Sequence, residues 1–152
     1  MASGGRFPVR WVAAVAILVA LVGICDATYL TYHHYTAEPV PCGLTGGCEM
    51  VLTSPYATVA GIPLAIFGAI AYLDMFVLAV LAFTGQRWAW MIFGLQSLLM
   101  VSFSGWLIYV QAYYINAFCQ FCLLSAATST TLFLIFILSL FFRGKPTQAE
   151  TI

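Results

Sequence analysis

Charge is what this chain has least of. Of its 152 residues five are Lys or Arg, five are Asp or Glu and two are His, a charged fraction of 7% with a formal net charge of +0. A soluble globular domain carries about 25% charged residues, so that class is excluded. Without a cationic surplus there is no electrostatic footprint for nucleic acid, and without a block of like charge there is no disordered interaction tail. Basic residues are missing from whole stretches: none falls between Arg10 and Arg87 or between Arg87 and Arg143. What remains is 63% hydrophobic, with a mean hydropathy of +1.01. That composition belongs to an integral membrane protein.

Apolar runs cover about residues 9–32, 62–83, 88–109 and 118–142, each near the ~20 residues a helix needs to cross a bilayer. The expected fold class is an all-α integral membrane protein, a four-transmembrane-helix bundle with a long outer loop containing a short half-helix, read over Glu49–Thr53. The transmembrane domain spans 9–142 with its outer loop at 33–61, between an N-terminal arm of 1–8 and a polar tail of 143–152. Arg6 and Arg10 precede the first run, Arg87 joins the second to the third, and Arg143 and Lys145 follow the fourth. All lie on one side, which by the positive-inside rule puts both termini in the cytoplasm and the other two connections on the outer face. The protein is expected in the cell inner (plasma) membrane, multi-pass and surrounded by lipid. A cleaved signal peptide is not expected, because the first run is too long and no A-x-A site follows it. Ile24 ahead of Cys25 does not suit a lipoprotein site either.

Of the five cysteines, four carry the chemistry. Cys25, inside the first run, is expected to be a packed small hydrophobe. Cys42 and Cys48 bracket Gly-Leu-Thr-Gly-Gly in the outer loop, where glycines let the backbone bring the sulfurs to bonding range and release them again. Cys119 and Cys122 form a CxxC at the head of the fourth helix, where the helix N-terminus favours a thiolate. Both pairs fall on the outer side, where disulfides persist. Three arrangements are open. A zinc site from all four thiolates meets an unusually loose Cx5C spacing. Static disulfides require cross-pairing, since a CxxC closed on itself staples nothing. In a relay, the loop pair collects electrons from a partner dithiol and passes them to the fixed pair by thiol–disulfide exchange. The relay suits both spacings, and no metal is then needed. Its terminal acceptor must be lipid-soluble and take two electrons and two protons, as a quinone does.

Other polar residues have plainer expectations. Asp26 reads as a solvated or hydrogen-bonded carboxylate near the outer end of the first helix, with tuning of the redox site as the lesser reading, and His33 and His34 with Tyr29, Tyr32 and Tyr35 as an interfacial anchor. Ser54-Pro55 has the form of an N-cap followed by proline at the first helical position. Asp74, in mid-helix, is expected to be protonated or to hydrogen-bond to Gln96 and Ser97, which lie at nearly the same depth. Gly94, Ser97, Ser102, Ser104 and Gly105 argue for a centrally placed third helix.

The order of a cysteine pair in the first outer loop, then Cys48-Glu-Met-Val-Leu-Thr-Ser54-Pro-Tyr-Ala, then Gly61-Ile-Pro-Leu-Ala-Ile-Phe-Gly68, then Cys119-x-x-Cys122 resembles the vitamin K epoxide reductase family, particularly its prokaryotic members. The resemblance covers about residues 30–125. It implies a four-helix bundle around a quinone, ubiquinone or menaquinone, lidded by the half-helix. By motif position it implies that Cys119 and Cys122 are the active-site pair, with Cys122 beside the quinone. Cys48 matches the loop cysteine that exchanges with Cys119, and Cys42 the one that meets a thioredoxin-like partner. Ser54 matches a serine at the quinone head group, and Leu64 and Phe67 lie in the matching piece that lines it. Animal members that reduce vitamin K epoxide place Asn at Leu64 and Tyr at Ala126, so the resemblance implies quinone-coupled thiol oxidation that supports disulfide bond formation. An epoxide reductase proper, or a stapled or zinc-bearing non-enzyme, are the alternatives. About ten residues follow the fourth helix, so the thioredoxin-like partner outside the cytoplasm is expected to be a separate protein.

Overall fold

The computed structural model describes residues 7–143; most of the N-terminal arm and the tail lie outside the described residues. Helix α1 (Phe7–Thr36) is followed by the half-helix α2 (Cys48–Leu52), a 3-10 turn (Pro55–Ala57) and two short strands, β1 (Thr58–Val59) and β2 (Ile62–Pro63). Then come α3 (Leu64–Phe83), α4 (Arg87–Val110), a π-helical turn (Gln111–Ile115) and α5 (Gln120–Arg143). The four long helices are apolar and long enough to cross a membrane. They close into a ring in which α1 packs on α3 and α5, and α4 on α3 and α5.

Small residues set how closely the helices approach. Ala13, Ala16, Ala20 and Ala27 are all buried, and their spacing by three, four and seven residues makes a smooth stripe down α1. The Tyr72 ring of α3 fills the space that a Cβ at Gly23 would take, and the Phe136 ring of α5 does the same at Gly94 of α4. At the end of the bundle where Arg10 and Arg87 lie, Trp90 stacks on Phe93 with centroids 4.6 Å apart and donates its indole N–H to Ser139 Oγ at 2.8 Å. Arg10 covers the Phe83 ring there at 4.8 Å, a cation–π contact.

Several expectations for single residues are corrected. Asp74 is exposed on the outer face of α3, while Ser97 donates to Gly94 of its own helix, so the expected bond across to α4 is not made. Cys25 is also exposed rather than packed, because the buried face of α1 is taken by the alanine stripe beside it. Helix α4 is no more central than its neighbours. Ser102 is exposed and donates to Leu98 O, and Gly105 faces open space, whereas Gly94, Ser97 and Ser104 do meet the bundle. The half-helix begins at Cys48, one residue before the expected Glu49.

Between the half-helix and α3, β1 and β2 pair antiparallel, Thr58 with Pro63 and Val59 with Ile62. Ala60 (φ 52°) and Gly61 (φ 81°) form the turn, both left-handed as a two-residue hairpin of this kind requires. Pro63 then stands at the N-cap of α3, where its missing N–H costs nothing. The segment is thereby folded down over the mouth of the bundle.

Candidate active site

The chain reaches the CxxC through an unusual helix end. Helix α4 widens into the π-helical turn, which stops at Asn116 in the left-handed region (φ 56°), a conformation asparagine tolerates. Gln111, 3% exposed, organises the connection to α5. Its carbonyl accepts the Ala117 N–H at 3.2 Å, and its side-chain Oε1 accepts the Cys119 N–H at 3.0 Å. Cys119 thus arrives clamped. Its carbonyl accepts the Leu123 N–H at 3.0 Å, so Cys119 is the residue that caps α5 and Cys122 lies in the first turn. The sequence places both inside that turn; the cap position instead aims the Cys119 sulfur at the free amides of the helix start.

That geometry has an electrostatic consequence. The neighbouring Cys122 thiol, by hydrogen bonding to the Cys119 sulfur, lowers its pKa from the ordinary 9.0 to about 7, against the opposing effect of burial and with help from the backbone N–H groups of Cys122 and Phe121. Among the two, Cys119 is the one prepared to attack.

Cys42 and Cys48 are joined as a disulfide, with Cα atoms 5.8 Å apart. The connecting turn passes through Gly46 in the left-handed region (φ 69°). Three contacts seat this loop. The Leu44 N–H donates to Gln120 Oε1 at 2.9 Å, the Val40 N–H donates to Glu49 Oε1 at 2.8 Å, and Gly47 lies directly on the backbone of Phe118. Cys48 and Cys119 are completely buried in one cluster with Leu30, Val40 and Val51, whereas Cys42 is half-buried at its rim. The loop disulfide therefore has an inner and an outer sulfur. Among the described residues no three His, Cys, Asp or Glu side chains converge as a metal site would require.

Beneath the half-helix is a cavity of about 860 Å³. Cys122 lines it and Cys119 does not; Cys122 also packs against the cysteine cluster, so it borders both the loop cysteines and the cavity. Ser54, Leu64 and Phe67 are all in the lining. Ser54 stands at the N-cap of the 3-10 turn with Pro55 after it, but its hydroxyl donates back to Val51 O at 2.7 Å instead of capping the turn. To donate to an occupant, that hydroxyl must rotate off Val51. Tyr72 crosses the floor and donates to Ser125 O at 2.7 Å, with Thr128 Oγ1 at 2.6 Å.

Three participants stand apart from any motif in the sequence. Gln111 and Gln120 hold the two halves of the cysteine cluster in register, yet each reads in sequence as an ordinary interfacial glutamine. Asp26, expected to be solvated or hydrogen-bonded, is neither. It is 6% exposed, and neither of its oxygens has a hydrogen-bond partner. A signal for its burial exists: Gly23, Asp26, Ala27 and Leu30 follow the i, i+3, i+4, i+7 pattern of one helix face.

Sequence comparison agrees with this geometry. A family model described as the vitamin K epoxide reductase family matches residues 14–137, which include all four paired cysteines. The thiol-disulfide oxidoreductase LTO1 of Arabidopsis thaliana is 32% identical over 120 residues, covering 71% of this chain and 31% of the plant protein. The chain therefore spans about a third of the length of that relative.

Proposed function

The chain belongs to the vitamin K epoxide reductase family, and from that premise we propose that it is a membrane thiol–disulfide oxidoreductase that reoxidises a separate thioredoxin-like protein and delivers the electrons to a quinone. The observation that carries the reading is the division of the cysteines, with Cys42 at the rim, Cys48 and Cys119 in one dry cluster, and Cys122 alone at the cavity. Each attacking sulfur then has one neighbour to attack.

In this scheme a partner thiolate attacks Cys42, breaks the Cys42–Cys48 bond and releases Cys48 as thiolate; the partner's second thiol frees Cys42 and leaves with the new disulfide. Cys48 attacks Cys119 of a closed Cys119–Cys122 pair and releases Cys122. Cys42 then attacks Cys48, restoring the loop disulfide and leaving Cys119 and Cys122 as the reduced pair. A closed loop pair over an open CxxC, the arrangement found here, corresponds to that point of the cycle. In the last exchange Cys119 is the leaving sulfur, and its capping position favours its departure as thiolate.

The cavity fits a quinone by size and lining. Its volume lies within the ~300–1,000 Å³ of small-molecule sites. Leu64, Phe67, Met100, Phe103 and Leu107 offer apolar surface, while Ser54, Gln96 and Cys122 offer polar atoms. A bound quinone supplies a two-electron, two-proton acceptor. The half-helix lines one side of the cavity, and Ser54 and Gln96 are the residues that would hold the ring oxygens of a bound quinone. Leu64 gives no polar atom at the position where epoxide-reducing animal relatives are expected to have asparagine, and Ala126, though buried, is not in the lining. Both support thiol oxidation over epoxide reduction. Arg10 and Arg87 stand at the end of the bundle opposite the cysteines, which supports cytoplasmic termini and an active site on the outer face of the plasma membrane.

The test is reduction of a short-chain quinone, followed by absorbance, with purified protein and a reduced thioredoxin-like protein. Wild type turns over and Cys122→Ser does not. Failure of the wild type to oxidise thiols with any quinone would overturn the proposal.

A further inference from the structure

Burying a carboxyl group without a hydrogen bond is costly, and nearly all buried polar groups avoid it. Around Asp26 the rule is otherwise kept. Tyr72 is bonded to Ser125 and Thr128, Ser129 to Ala126 O and Ser104, and Gln111 to Cys119. Only Asp26 has two buried, unpartnered side-chain oxygens among the described residues. It is 94% buried, since 6% of its surface is exposed, and it lines the same cavity as Cys122. It is also within electrostatic reach of Cys119, Cys122 and Tyr72. A carboxylate serving only the fold would be paired. One left open between a dithiol and a cavity is placed to accept and return a proton.

We propose that Asp26 is the proton-handling residue of the Cys119–Cys122 pair, taking up the proton that leaves a thiol as the disulfide closes and returning it into the cavity. The inference rests on the relay reading above. Closing the pair breaks two S–H bonds, forms one S–S bond, and releases two electrons and two protons. The electron pair and both protons go to the quinone-class acceptor. One of those protons passes from the Cys122 thiol, by way of the cavity that both residues line, to the Asp26 carboxylate, resides there as the carboxylic acid, and is passed on, so Asp26 ends as carboxylate and the balance is closed.

The groups that face Asp26 decide how it titrates. From α5 these are Cys119 at the cap and Cys122, and from α3 Tyr72. Elsewhere in the cavity lining are His33 and His34 of α1, Glu38 of the following loop and Glu49 of α2, while α4 contributes the uncharged Gln96 and the π-helical turn the uncharged Gln111. Among the described residues no Lys or Arg is in the lining, so a negative charge on Asp26 is uncompensated when the thiols also ionise. Proton exchange between carboxyl and thiol avoids that double charge.

The chain holds only two aspartates, Asp26 and Asp74, and Asp74 faces outward on α3. Protein carrying carboxyl-labelled aspartate in an Asp74→Asn background therefore reports on Asp26 alone. Time-resolved infrared spectra of protein stripped of quinone, taken as a dithiol opens the Cys119–Cys122 disulfide, are expected to show a labelled carboxyl transiently protonated before it returns to carboxylate, and Asp26→Asn to lose that signal. In quinone turnover, Asp26→Asn is expected to lower kcat about a hundredfold, the scale of general acid–base catalysis, with KM little changed. Asp26→Glu restores the greater part and shifts the pH profile. An unchanged labelled carboxyl on opening the pair, or Asp26→Asn at wild-type rate across the pH profile, overturns the proposal. Absence of quinone reduction by wild type would instead fall on the relay reading, and the infrared result on acceptor-free protein would still decide the role of Asp26.

Discussion

Placing one methyl group at Gly47 is expected to uncouple the two cysteine pairs. A Cβ there would lie 2.6 Å from Phe118 O, 2.9 Å from Phe118 N and 3.0 Å from the Ala117 Cβ. Two of these three atoms are backbone, fixed by the Gln111 clamp on Cys119 next door, so α5 cannot give way and the loop must. Restoring the closest contact from 2.6 Å to an ordinary 3.4 Å means a retreat of about 0.8 Å by the residue directly before Cys48. Misplacing reacting atoms by about 1 Å costs on the order of a hundredfold in rate, so Gly47→Ala should slow electron transfer from the loop pair to Cys119 by about that factor. Overpacking should destabilise the fold by only about 1–3 kcal/mol. The assay is a rapid-mixing measurement in which a reduced thioredoxin-like protein is added and each pair is trapped by acid and alkylated at intervals. Loop reduction should proceed at the wild-type rate while reduction of Cys119–Cys122 lags. Transfer at the wild-type rate in Gly47→Ala would refute the claim that this contact sets the approach of Cys48 to Cys119.

The same geometry makes other outcomes measurable. Cys42→Ala or Cys122→Ala removes a resolving thiol and should accumulate a Cys48–Cys119 disulfide; peptide mass spectrometry after alkylation that finds none under any redox condition would argue against the relay. With a folded pKa of about 7 against an ordinary 9.0, the Cys119 thiolate is favoured by the fold. Its alkylation rate in the reduced protein should be half-maximal near pH 7 and fall about tenfold per pH unit below that. Because the folded pKa is depressed, the reduced form gains stability as pH rises from about 7 to 9 and loses that gain as pH falls back through 7, measurable as a shift in thermal unfolding. Asp74→Asn, on an outward face without a hydrogen bond, should leave quinone turnover at the wild-type level, and a large loss would contradict its placement.

The parts of the molecule legible in the sequence are those where one residue property acts alone. Run length suffices for four helices, because any run of about 20 apolar residues must become a helix in lipid. Gly and Pro content announces the loop, and Cys48 to Ser54 announces the half-helix to within one residue. Which face of a transmembrane helix points inward is another matter. Helix α3 is apolar all round, so sequence offers no amphipathic contrast, and counting depth alone pairs Asp74 with α4 when it is exposed at the flank of the face that buries Met75, Leu78 and Ala79. In α1 the contrast is present as small against large residues, and the alanine stripe places Asp26 inside once size is weighed with polarity. Ser54 is recognisable as a site residue from its motif, but its bond to Val51 depends on where the half-helix ends. The role of Gln111 depends on the π-helical widening of α4, which no local pattern in Gln-Ala-Tyr-Tyr-Ile announces.

The unequal burial of the two loop sulfurs also acts as insulation. A passing small thiol meets only the rim, at Cys42, while Cys48 and Cys119 are sealed from solvent by Leu30, Val40 and Val51. If the proposed relay holds, an oxidase drawing on one client among other thiols would be protected from a short circuit in this way. In the proposed relay an attacker at Cys42 must bring a second thiol to the mixed disulfide before it can leave oxidised, so reach of a dithiol to Cys42, rather than redox potential alone, selects who is oxidised.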